Sequence, residues 1–155
     1  MSMLLHPTFI APFIRIGDWL QHESAPGSCM FKHTHGQTLW EMADGDAAFN
    51  EIVNDGMASD SLFVMDILVR EHGEVFKGIG SLVDVAGGNG TAAKAIARAF
   101  PEVKCSVMEL AHVVQDAADR GGGDGGVEVE FVAGDMFESV PPADAVFLKN
   151  ELIFK

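Results

Sequence analysis

The run Leu82-Val83-Asp84-Val85-Ala86-Gly87-Gly88-Asn89-Gly90 constrains this chain more than any other segment, because it carries an apolar stretch straight into a glycine-rich turn. The apolar residues predict a buried strand, and Thr91 to Ala99 predicts the helix that follows. Gly88 and Gly90 let the backbone turn tightly and approach a ligand closely. A strand, a glycine turn and a helix in that order build a nucleotide-cofactor site. Gly88-x-Gly90-x-x-Ala93 also satisfies the loose dinucleotide fingerprint, so the loop alone leaves a nicotinamide cofactor and S-adenosylmethionine both open.

The acidic residues downstream narrow the choice. Val103 to Leu110 predicts a second strand that finishes at Glu109, whose carboxylate can accept both hydroxyls of a ribose; a solvated acid closing a strand is the plain alternative. A third apolar run, Val127 to Ala133, ends in Gly134-Asp135-Met136-Phe137. An acid and an apolar side chain there can hold an adenine amino group and cover its ring. The fourth run, Asp144 to Lys149, is continuously apolar between its charged ends, as a strand buried on both faces requires. Ligands of open α/β sheets bind at the carboxyl ends of strands, so Asp84, Glu109, Asp135 and Lys149 are expected to converge on one crevice.

Taken together, LVDVAGGNG, FPEVKCSVMELAHVV, FVAGDMFESVPPADAVFLK and the upstream GMASDSLFVMDILVRE closely resemble plant small-molecule O-methyltransferases of the caffeate and flavonoid type. The match runs from about His6 to Lys149, and four motifs in order make it specific. The resemblance implies an α/β fold: a Rossmann-like methyltransferase sheet of about four parallel strands in the order 3-2-1-4, incomplete and preceded by a helical region. It further implies that Ala86, Glu109, Asp135, Met136 and Lys149 contact S-adenosylmethionine, with Ser61 added from the preceding helix. Ala86 stands where the family usually has a glycine, and Glu109 where it usually has an aspartate. Beyond Lys149 the family continues to a histidine that takes the phenol proton; by position Ile153 stands there, and its side chain accepts no proton. A truncated product before the catalytic histidine is the expectation, with turnover impaired.

The helical region is expected over residues 1–77 and the cofactor-binding domain over 78–155, divided near Gly78-Ile79-Gly80. Within the first, Pro7 to Gln21 predicts one amphipathic helix, Thr38 to Met42 and Ala47 to Asn54 shorter ones, and Ser59 to His72 a stronger one. Asp60 near the start of that last helix and Arg70 near its end suit the helix dipole. Helical packing explains the Met- and Phe-rich composition here as well as any special role. Gly121 to Gly126 predicts a flexible loop, not a phosphate cradle.

Charge and composition exclude some functions. With 10 basic and 23 acidic residues the net charge is −13, which repels nucleic-acid phosphate. His33 and His35 have ligand-like spacing, yet no further pair closes a zinc site, so no metal is expected. His112 follows the second strand and reads as structural. Cys29 and Cys105 form no disulfide framework, Cys105 reads as a small apolar residue within its strand, and a reducing cytosol fits. No run reaches membrane-spanning length. The expected partners are a phenolic small molecule and, through an apolar edge strand that invites association, a second copy or a full-length relative. Two other readings stand beside the methyltransferase: a non-catalytic cofactor-binding or dimerising fragment, and a NAD-binding oxidoreductase.

Overall fold

The computed structural model describes residues 2–21, 29–119, 127 and 129–149. The chain divides into two compact units, Met1–Ser59 and Asp60–Lys155. The division therefore falls inside a helix, whereas helices give way to sheet at Gly78–Gly80.

The first unit is helical: α1 (Ser2–Leu5), α2 (Pro7–Ile14), α3 (Ile16–Gln21), α4 (Met30–His35), α5 (Leu39–Gly45) and the start of α6 (Ala47–His72). The single helix expected over Pro7–Gln21 is interrupted at Arg15. Pro12 lies inside α2 and has no N–H to offer the Thr8 carbonyl one turn back. The His35 Nε2 donates to that carbonyl at 2.9 Å instead. His35 is thus occupied by the α2 backbone. Thr38 and Glu41 close a reciprocal capping box at the start of α5, and the Glu41 carboxyl is held below its usual value by the Thr38 N–H. Ala43, Phe49 and Val53 form this unit's buried core, with Phe9, Phe31, Leu39 and Met42 against it.

The two helices expected at Ala47–Asn54 and Ser59–His72 are one continuous α6. Gly56 lies between the two expected helices, and a Cβ there would collide with the Met3 side chain. Close approach to Met3 thus gives the glycine a packing role that offsets its helix cost of about 1 kcal/mol. Asp60 consequently sits in mid-helix, where the dipole argument made for it does not apply. Arg70 does lie in the last turn, paired with Asp66 and Glu71.

The second unit continues from α6 through a short 3-10 turn at Gly73–Phe76 into β1 (Ser81–Val85), α7 (Thr91–Ala99), β2 (Lys104–Glu109), α8 (Ala111–Asp119), β3 (Glu130–Ala133) and β4 (Ala145–Leu148). The four strands are parallel, in the order β3-β2-β1-β4. β2 begins after Val103, and β3 is limited to Glu130–Ala133, shorter than the apolar run suggested. Central β1 is buried on both faces. On one face Leu82 packs with Met65, Phe76, Ile96, Val103 and Val107; on the other Val83 and Val85 pack with Met108. Cys105 is buried as expected, and burial, aided by the Asp84 charge, pushes its thiol up to about 11. Val146 and Leu148 on β4 remain half exposed. No helix among the described residues is long and apolar enough to cross a membrane.

Asp144 fastens β4 to the sheet. Its Oδ2 accepts the N–H groups of Gly80 and Ser81 at 2.8 and 3.0 Å, and its own N–H donates to Ser81 Oγ at 2.9 Å. The Gly80 N–H first, then the Ser81 hydroxyl and N–H, hold the carboxyl below the ordinary 3.8. A lowered folded value means a stabilisation complete above 3.8 and lost as pH falls through the folded value. Thermal unfolding should therefore show Asp144→Asn melting below the unaltered chain at pH 6, with the gap closing as pH drops below 3.8. A gap that persists unchanged in acid would show that the charge is not the source.

Candidate functional site

The parallel register brings the strand ends of the second unit to one edge. Val85 pairs with Met108 on one side and Leu148 on the other, and Glu109 pairs with Ala133. The backbone extends those ladders past the strands: Ala86 N donates to Met108 O at 2.8 Å, and Gly134 N to Glu109 O at 2.9 Å. Ala86, Glu109, Gly134 and Lys149 therefore stand at neighbouring levels above the sheet.

The turn at Ala86–Gly90 is held from below and from the side by carboxylates. Asp84 is 2% exposed, so it lies beneath the turn and not in the crevice where the sequence placed it. A Cβ on Gly87 would fall 2.6 Å from Asp84 Cγ and Oδ2, which explains why that position carries no side chain. Asp84 Oδ2 also accepts the Ala93 N–H at 3.3 Å, in the first turn of α7. A buried carboxylate is costly unless paired, and the positive end of a helix is one environment that supports it. From β2, Glu109 Oε1 accepts the Gly88 N–H at 2.9 Å and Oε2 its neighbour Leu110 N–H at 3.0 Å. Each carboxylate oxygen has two acceptor sites, so both retain capacity for hydroxyl donors.

The loop's own donors are largely spent. Besides Gly88 on Glu109, Thr91 N donates to Asn89 Oδ1 at 3.2 Å, Gly90 N to Gly87 O at 2.9 Å and Lys94 N to Gly90 O at 2.9 Å. A pyrophosphate on a helix N-terminus relies on such N–H groups. Here side-chain oxygens of Asp84, Asn89 and Glu109 have taken three of them. Space nevertheless exists above the turn: Gly88, at φ +58°, has nothing within 4 Å of where a Cβ would stand. Gly90, at φ +76°, is different, since a Cβ would approach Val107 Cγ2 to 3.1 Å and Phe131 Cζ to 3.2 Å.

The remaining predicted residues flank this edge. Asp135 Oδ1 accepts the Phe137 N–H at 2.9 Å, a local turn that fixes the carboxylate just past β3. Met136 packs against Val83, Val85 and Met108, while Phe137 is largely exposed. Lys149 Nζ pairs with Asp60 Oδ2, next to half-buried Ser61 on α6. Ile153 and Gly121–Gly126 lie outside the described residues. Sequence reasoning missed Asn89, Asp60 as a partner of Lys149, and the fastening by Asp144; only Asn89, two residues before a helix start, carried a local signal. Among the described residues no group of three or more His, Cys, Asp or Glu side chains is placed to hold a metal ion.

Ala86 has φ +52°, the one non-glycine residue in the left-handed region among those described. This gives a physical reason for the glycine expected there. Left-handed backbone costs an alanine about 1–2 kcal/mol, whereas glycine adds up to about 1 kcal/mol of unfolded-chain entropy. Chemical denaturation should find Ala86→Gly neutral or stabilising by up to about 1 kcal/mol, and Ala86→Val destabilising by about 1–3 kcal/mol. A valine variant as stable as the unaltered chain would refute the assigned backbone.

Comparison with known proteins identifies the family. An O-methyltransferase domain model matches residues 13–153. O-methyltransferase ZRP4 of Zea mays is 54% identical over 151 residues, 97% of this chain and 40% of the relative. The 5-pentadecatrienyl resorcinol O-methyltransferase of Sorghum bicolor is 53% identical over 134 residues, 84% of this chain and 35% of the relative. Among solved structures, mitomycin 7-O-methyltransferase MmcR superposes with a TM-score of 0.74 at 25% identity, over 97% of this chain and 43% of its own. CalO1, a methyltransferase of calicheamicin biosynthesis in its SAH-bound form, gives 0.69 at 27% identity, over 93% of this chain and 41% of its own. The chain spans about two fifths of the length of these relatives, and with a domain match over most of its residues it belongs to the O-methyltransferase family.

Proposed function

We propose that the chain supplies the S-adenosylmethionine-binding part of an O-methyltransferase acting on phenolic small molecules. The observation that best supports this is the sheet edge where a glycine turn, two acceptor carboxylates and a lysine gather, with the turn's donors already tied to Asp84, Asn89 and Glu109. Acceptor groups suit a ligand that brings ribose hydroxyls, an amino group and a positive sulfonium. They suit a pyrophosphate less, because the Gly88, Thr91 and Ala93 N–H groups are already tied to side-chain oxygens. This disfavours the NAD-dependent alternative. The SAH-bound state of CalO1 and the resorcinol, a phenol, in the name of the sorghum relative agree with the cofactor and substrate class.

In this reading Glu109 accepts the ribose hydroxyls, Asp135 the adenine amino group, and Met136 lies beside the adenine ring. Gly88 leaves room for the ligand, Gly90 and Ala86 shape the turn, Asp84 supports it from below, and Ser61 and Lys149 line the side next to α6. The cofactor would supply an electrophilic methyl group. Residues 78–155 form the binding domain, and residues 1–77 belong to a helical dimerisation and substrate-capping segment of which they are only part, in a reducing cytosol.

A second reading, cofactor binding without efficient turnover, is favoured by one residue. Ile153 stands where the resemblance expects a general base, and its hydrocarbon side chain accepts no proton. Such a base contributes roughly 10² to 10⁴-fold to rate. Calorimetry should find S-adenosylhomocysteine bound and NAD not bound, with Glu109→Ala weakening the former at least about tenfold through lost charge-assisted hydrogen bonds. Radiolabelled methyl transfer to a panel of phenols should remain at background. Preference for NAD would overturn the cofactor reading, and measurable turnover would overturn the second reading alone.

A further inference from the structure

We propose that Asp60 is a positioning residue for the cofactor site, acting through Lys149; the proposal rests on the cofactor reading above. Lys149 follows β4 on the face shared by Ala145 and Phe147, both packed against the sheet's main core, while Val146 and Leu148 face outward. Because Leu148 is in register with Val85, Lys149 stands level with Ala86, where the glycine turn begins.

A lysine at a strand tip has a long flexible stem, and ordering it costs rotamer entropy. Here the side chain is only 16% exposed, and its ammonium meets the Asp60 carboxylate, which is 54% exposed. The lysine is therefore the desolvated partner, and the acid satisfies it from the solvent side. Asp60 is 89 residues away in sequence and sits on α6, so the ion pair couples a helix to the carboxyl edge of the sheet. Of the ammonium's three donors, the pair uses one and leaves two for an acceptor on a ligand. Asp60 itself need not touch that ligand. Its effect is to confine a mobile cation to one place beside the turn.

The test measures S-adenosylhomocysteine affinity by calorimetry, with thermal unfolding in parallel, for the full chain and for Asp60→Asn, Asp60→Glu, Lys149→Met and the Asp60→Asn/Lys149→Met double variant. Asp60→Asn should weaken binding about tenfold, the size of one lost charge-assisted hydrogen bond, with little change in melting temperature. Asp60→Glu should restore most of the affinity, and Asp60→Asn should cost nothing further once Lys149 is methionine. Unchanged affinity in Asp60→Asn, with or without lower stability, would overturn the proposal, as would losses that add in the double variant. Should Asp60→Asn fail to fold, Asp60→Ser carries the same test. No binding by the unaltered chain would instead strike down the cofactor reading, and this proposal with it.

Discussion

A carboxylate buried beneath a glycine turn is the interaction on which the second unit's organisation depends. Asp84 ends no strand in solvent; it sits one residue before the last of β1, occupies the space that a Gly87 side chain would need, and accepts an N–H from the first turn of α7. One side chain thereby fixes the exit of the strand, the shape of the turn and the entry of the helix. Glu109 then ties the same turn to β2 through Gly88. Carboxylates accept two N–H groups, those of Gly88 and Ala93, of the kind that face the ligand in a phosphate cradle.

Parallel pairing extends this local constraint into a site. With β1 central and β2 and β4 in register on either side, whatever follows each strand emerges at one edge. Glu109, Asp135 and Lys149 reach that edge for the same geometric reason, although they come from segments far apart in the chain. The anchors that hold β4 are polar at both ends: Asp144 at its start binds the β1 backbone, and Lys149 just past its end meets Asp60. A strand paired on one side among the described residues is thus held by charge as well as by the apolar face of Ala145 and Phe147.

The strands, their order and α7 were legible in the sequence because apolar runs, glycine punctuation and the family motifs all pointed the same way. The helices were less so, since their boundaries depend on tertiary contacts. Gly56 lies between the two helices expected from sequence, yet it packs against Met3 inside one continuous helix, and the interruption near Arg15 follows Pro12, which leaves the Thr8 carbonyl to His35, 27 residues beyond Thr8. Asp84 was legible as a site residue but not as a buried support, because spacing gives a residue's level along a strand and not the direction of its carboxylate. Lys149 was legible as a strand-end residue, but its pairing with Asp60, 89 residues away, had no local signature.

If the sheet edge formed by Ala86–Gly90, Glu109 and Asp135 is a nucleoside-cofactor cradle, amide chemical-shift mapping of the isotope-labelled chain during titration with S-adenosylhomocysteine should show it. Saturable shifts should concentrate at Ala86–Gly90, Leu110 and Asp135–Phe137, with the amino ends of the strands unmoved. Shifts confined to other surfaces, or none at saturating ligand, would contradict it.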